Sequence, residues 1–91
     1  MRKQSREVDT LKAAAEMVRN YRTRRGITQA HVERAAGLTP GKLYSIETGY
    51  QRMNADDFLK IIVLGFGITP QIFFDEQFSE NEQNGQINLG G

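Results

Sequence analysis

The sequence predicts an all-α domain of five short helices. Three observations carry this: apolar residues recur at three- and four-residue intervals, cap residues stand in front of such runs, and no segment shows strand-like alternation. Over residues 8–25, Val8, Leu11, Ala14, Ala15, Val18 and Tyr21 form one helical face, and Gly26 ends it after an arginine-rich last turn that suits the negative end of the helix dipole. Thr28 caps a second helix with Val32, Ala35 and Ala36 on one side and Gly37 as its stop. Thr39 followed by Pro40 is a cap and a first helical residue, opening a third helix with Leu43 and Ile46 inward and its end near Gly49. Asn54, backed by Asp56 and Asp57 at the positive end of the dipole, starts a fourth helix through the 58–66 run, with Gly65 and Gly67 framing its end. Thr69 and Pro70 repeat the cap-plus-proline signal for a fifth helix through Ile72, Phe73 and Phe74. The expected organisation is a basic arm at 1–8, a domain at 9–78, and a mobile polar tail at 79–91 with too little apolar surface to offset the entropy of ordering it.

Composition narrows the function. The chain of 91 residues is one small domain, 38% hydrophobic and 25% charged, a mixture suited to a compact soluble fold. Cysteine is absent, which removes disulfides, thiolate nucleophiles and Cys-containing metal sites. His31 is a single imidazole with no nucleophile beside it and no second histidine for a metal, so it reads as a surface residue, and neither an enzyme nor a cofactor is expected. The longest apolar stretch, 61–68, includes two glycines and is far short of the ~20 residues of a membrane span. A cytoplasmic protein with no membrane partner is expected. The net charge of +1 hides a split: residues 1–25 hold eight Lys/Arg against three Asp/Glu, and residues 54–91 hold one against six. A polyanion-facing first half would produce this, as would two solvated faces.

Two short helices meeting at a tight glycine-containing turn form the layout of a helix-turn-helix. Its residues are specific: Thr28-Gln29 at the start, Val32, Ala36-Gly37-Leu38 at the turn, the apolar pair Leu43 and Ile46, and Glu47 two residues before Gly49. Together they resemble the Cro/C1-type, or XRE, family. Tyr21-Arg22 upstream is similar to the end of that family's first helix, and Leu59, Ile62, Val63, Phe66, Ile68 and Phe73 follow its fourth and fifth helices in spacing. The resemblance spans roughly residues 10–75 and implies a lambda-repressor-like DNA-binding domain with its helix-turn-helix at helices two and three.

The resemblance also implies roles. Positions matching Thr39, Gly41, Lys42 and Ser45 face the major groove, with Tyr44 beside them, as the DNA base-reading set. Those matching Arg22, Thr28, Gln29, Tyr50, Gln51 and Arg52 hold backbone phosphates, Gln29 from a helix N-terminus. Arg22 pairs with Glu47 to fix the recognition-helix angle. Two positions depart from the family pattern. Glu33 stands where alanine is usual, so its carboxylate must escape to solvent or find a partner such as the Tyr44 hydroxyl or Arg34. Pro40-Gly41 replaces longer polar residues, so specificity rests on Lys42, Ser45, Tyr44 and DNA shape.

With Leu59, Ile62, Val63 and Phe66 inward on helix four, Phe58, Ile61, Leu64 and Phe74 are left as an apolar patch and are expected to form a homodimer interface. The functional expectation is a transcriptional regulator, a repressor binding a pseudo-palindromic operator in double-stranded DNA as a homodimer. The alternative is a protein-interaction module on the same scaffold, such as an antitoxin masking a toxin, with the tail folding on binding. The basic Arg2, Lys3 and Arg6 fit either an arm along a groove or an unstructured start.

Overall fold

The computed structural model describes the backbone of residues 3–84 and the side chains of residues 10–77. It is all-helical over that range: α1 (Lys3–Arg24), α2 (Gln29–Ala36), α3 (Lys42–Thr48), α4 (Ala55–Leu59), continued by a π-helical segment (Lys60–Gly65), and α5 (Pro70–Asn84). Three of the four expected caps are made. Thr28 Oγ1 accepts from the His31 amide at 3.1 Å, Asn54 Oδ1 from the Asp57 amide at 2.7 Å, and Thr69 Oγ1 from the Ile72 amide at 3.1 Å.

Both ends are more helical than expected. The backbone is already helical at Lys3, inside the stretch read as an arm, and α5 runs to Asn84, inside the stretch read as a tail. Neither segment contains a glycine or proline to interrupt its helix before Gly85, and both are rich in residues of good helix propensity. Arg2 and residues 85–91 lie outside the described residues.

The core is built from Val18 and Tyr21 of α1, Val32 and Ala36 of α2, Leu38 in the turn, Leu43 and Ile46 of α3, Met53, Ile61, Ile62 and Phe73. Ala35 is exposed, and Glu33 takes its expected place on the inner side of α2. The register of the fourth helix also differs from expectation. Its inner face carries Phe58, Ile61, Ile62, Gly65 and Phe66, while Leu59 and Val63 are exposed. Both sets obey three- and four-residue spacing, and the close approach of α2 chooses between them. A Cβ on Gly65 would lie 2.8 Å from Val32 Cγ1, so only the face that presents this glycine lets the two backbones come together. The widened i→i+5 turn, with the Phe66 amide bonded to Ile61 O at 2.8 Å, accompanies the burial of two consecutive isoleucines. Ile61 is 0% exposed and therefore belongs to the core and not to a dimer interface.

Gly65→Ala is expected to lower stability by about 1–2 kcal/mol, since overpacking against fully buried Val32 outweighs the helix propensity gained. In a Val32→Ala background the same change should cost nothing. Urea denaturation of the four proteins of that cycle checks the coupling; equal costs in both backgrounds would refute it.

Candidate nucleic-acid interface

The α2–turn–α3 unit is set by two glycines and one buried leucine. Gly37 closes α2 in the left-handed conformation, Leu38 drops into the core, and Gly41 sits at φ +88° immediately before α3. Thr39 and Pro40 are thus the turn, and α3 starts two residues later than the cap-plus-proline signal suggests. At φ +88° position 41 is a glycine position, and glycine has no side chain with which to cap. The Glu33 carboxylate comes from α2 to meet the helix start. Its Oε2 accepts from the Gly41 amide and from the Leu43 amide, each at 3.0 Å, and the residue is 7% exposed. Of the partners expected for it, neither solvent, Tyr44 nor Arg34 takes that oxygen; backbone amides do.

The far end of α3 is fixed by an ion pair. Arg22 donates from Nε to Glu47 Oε2 and from Nη2 to Glu47 Oε1, both at 2.8 Å, and from Nη1 to the Ile27 carbonyl at 2.9 Å. Gln29 Nε2 donates to Glu47 Oε1 at 2.9 Å, so the end of α1 and the start of α2 converge on one carboxylate at the end of α3, and Arg22 ties the turn after α1 to them through Ile27. The Glu47 side chain is 3% exposed and the Arg22 side chain 13%. Donating hydrogen bonds to Glu47 raises the Arg22 pKa above its ordinary value; partial burial opposes this and the charge attraction adds to it.

Thr39, Gly41, Lys42 and Ser45 line one open, polar recess of about 410 Å³, together with Pro40 and Gln51. Four residues of the expected base-reading set are thus brought together, with Gln51, expected on a phosphate, among them. Tyr44 is exposed beside them on α3. The Gln51 amide donates to Ser45 O at 3.1 Å, tying the following loop to the helix, and Tyr50 and Arg52 are exposed on that loop. Thr28 is occupied as the α2 cap. His31 is exposed, and the described residues contain no group of three or more His, Cys, Asp or Glu able to hold a metal.

Lys42 has a partner that the sequence reading missed. Its Nζ lies 3.2 Å from Asp57 Oδ1, with side-chain exposures of 25% and 6%, and Asp57 Oδ2 is buried with no hydrogen-bond partner. In the sequence Asp57 stands only as a dipole-favoured carboxylate at the start of the fourth helix. Lys42→Ala is expected to cost about 1–3 kcal/mol, less than a fully buried pair because the lysine is partly solvated. Adding Asp57→Leu should return most of it, and thermal unfolding of the single and double variants measures both. A double variant no more stable than Lys42→Ala would show that the pair is not the cause.

Among the described residues no single helix is long and apolar enough to cross a membrane. Neither the curated proteins nor the solved structures give a match to this chain. A family model described as a helix-turn-helix domain matches residues 13–70, which include the second half of α1, α2, α3 and the fourth helix. With that match over well more than half of the chain and two short helices joined at Gly37 and pinned at both ends of the second, this protein belongs to the helix-turn-helix domain family and is built as a DNA-binding regulator.

Proposed function

We propose that this protein is a sequence-specific transcriptional repressor of the Cro/C1 type that binds a pseudo-palindromic operator as a homodimer, in the cytoplasm. The observation that carries the reading is the presentation of α3: its buried face is anchored by Leu43 and Ile46, its two ends are held by Glu33 and Glu47, and Tyr44 and Ser45 face outward beside a polar recess. A helix so held can lie in a major groove and offer a few side chains to base edges. Base reading falls to Thr39, Tyr44 and Ser45, with the Gly41 backbone making close approach possible. Lys42 joins them only by leaving Asp57, and so contributes to DNA less than an unpaired lysine would.

Phosphate contacts fall to Gln29, Tyr50, Gln51 and Arg52, with the Thr28–Gln29 start of α2 directed at the backbone. Arg22 supports them with the N–H donors that Glu47 and Ile27 leave unused, three of its five being engaged. Dimerisation uses the exposed apolar residues of the fourth and fifth helices: Leu59, Val63, Leu64 and Phe74, with half-buried Phe58 at their margin. Repression then follows from occupying a promoter, without chemistry.

Selection of duplexes from a random library at about 150 mM salt tests this directly. The expected result is an enriched palindrome whose half-sites are about one helical turn, 10–10.5 base pairs, apart or a multiple of it. A single enriched half-site would overturn the dimer. No enrichment, with residual binding lost on modest added salt, would overturn the reading in favour of a protein partner such as a toxin.

A further inference from the structure

We propose that Glu33, a residue of α2, is the positioning residue of the recognition helix: its carboxylate supplies the cap that α3 lacks and so holds the first turn from which Tyr44 and Ser45 reach DNA. The proposal rests on α3 being the reading helix and adds the means by which its start is held.

A helix of seven residues is too short to persist on its own backbone bonds, and its first amides have no partner within the helix. The residue before it usually supplies one acceptor for the second or third helical amide. Gly41 cannot, and the Lys42 amide is taken by Thr39 O at 3.0 Å. The Leu43 amide, second in the helix, is met by Glu33 Oε2 at 3.0 Å, and the same oxygen takes the Gly41 amide. The bond that normally closes a helix start locally here runs between the two helices of the motif, ten residues apart in sequence.

That difference carries the functional consequence. A local cap leaves the angle between two helices to their side-chain packing, whereas a carboxylate rooted on α2 ties the start of α3 to α2 at a fixed distance. Burying a charge so near the core is tolerated because two charge-assisted bonds to backbone amides compensate it. Gly41 and Glu33 are complementary: the glycine permits the left-handed approach to the helix, and the glutamate replaces the cap that the glycine cannot be.

Three full-length variants test it. Glu33→Gln keeps an oxygen that can accept both amide bonds, Glu33→Asp is too short to reach both, and Glu33→Ala removes the acceptor. Amide exchange at Leu43, with Ile62 as a core reference, reports the cap; affinity for the selected operator against a scrambled duplex reports the positioning. Glu33→Ala should speed Leu43 exchange and weaken operator binding by about tenfold each, near the upper range of what a lost cap is worth, with Ile62 exchange rising by no more than the same factor, which is the loss in global stability, and scrambled-duplex binding unchanged. Glu33→Gln should behave as the wild type in all four readouts. If Glu33→Ala does not fold, Glu33→Asp replaces it, with the same direction expected. A folded Glu33→Ala protein with wild-type Leu43 exchange or wild-type operator affinity overturns the proposal, as does Glu33→Gln failing as fully as alanine. If the wild type selects no operator, it is the reading of α3 that fails, and Leu43 exchange alone still decides whether Glu33 is the cap.

Discussion

Glu47→Ala is expected to destabilise the protein by about 3–5 kcal/mol, the usual result of removing one partner from a buried ion pair. The carboxylate accepts three side-chain hydrogen bonds, two from Arg22 and one from Gln29, and its side chain is almost fully buried. Alanine leaves a guanidinium with little access to water and an amide without its acceptor. Arg22 has no escape by deprotonation, because an arginine stays charged at any pH at which the fold persists. Against a total stability of about 5–14 kcal/mol for a chain of this size, that loss takes about a fifth or more. Urea denaturation measures it, and a loss below about 1 kcal/mol would place the pair with ordinary surface salt bridges.

The double replacement Arg22→Met with Glu47→Leu separates holding from function. Apolar side chains of similar size often replace a buried pair at little or no cost in stability, so the double variant should recover most of what Glu47→Ala loses. It should not recover DNA binding to the same degree, because an apolar contact does not impose the orientation that a two-pronged guanidinium–carboxylate pair does, and Arg22 no longer offers donors to a phosphate.

What could be read from the sequence was what is decided locally. Thr28, Asn54 and Thr69 cap their helices because a short oxygen-bearing side chain finds an amide three residues ahead, whatever the rest of the chain does. Thr39 broke the pattern because the glycine two residues on takes a left-handed turn, and the acceptor for α3 lies back on α2. The fourth helix offered two equally regular apolar faces, and a tertiary contact, Gly65 against Val32, chose the one that buries Ile61 and exposes Leu59 and Val63. Arg22 and Glu47 could be paired from the family resemblance alone, since nothing in their 25-residue separation announces a contact. Lys42 with Asp57 had no such guide: each residue had a sufficient local reading, one as a groove-facing cation and the other as a helix-start carboxylate.

Phe73→Ala should be comparably severe, costing about 3–5 kcal/mol, for a different reason. The ring is fully buried and lies 5.4 Å from Tyr21, 5.9 Å from Phe58, 6.3 Å from Phe66 and 5.4 Å from Phe74, centroid to centroid, so it is the hub through which α5 joins α1 and the fourth helix. The Arg25–Glu76 ion pair also joins the turn after α1 to α5, but both side chains are a third or more exposed, so it contributes at most about 1 kcal/mol and cannot replace the ring. The melting temperature should fall by roughly 12–25 °C. Phe73→Leu, which fills part of the space, should lose less than half as much. Phe74 provides the contrast on the same helix, since it is 40% exposed and belongs to the proposed dimer surface. Phe74→Ala should cost less than about 1 kcal/mol of folding stability, while weakening self-association in sedimentation measurements. If both substitutions lowered stability alike and left association untouched, α5 would be a structural helix only and the dimer surface would have to lie elsewhere.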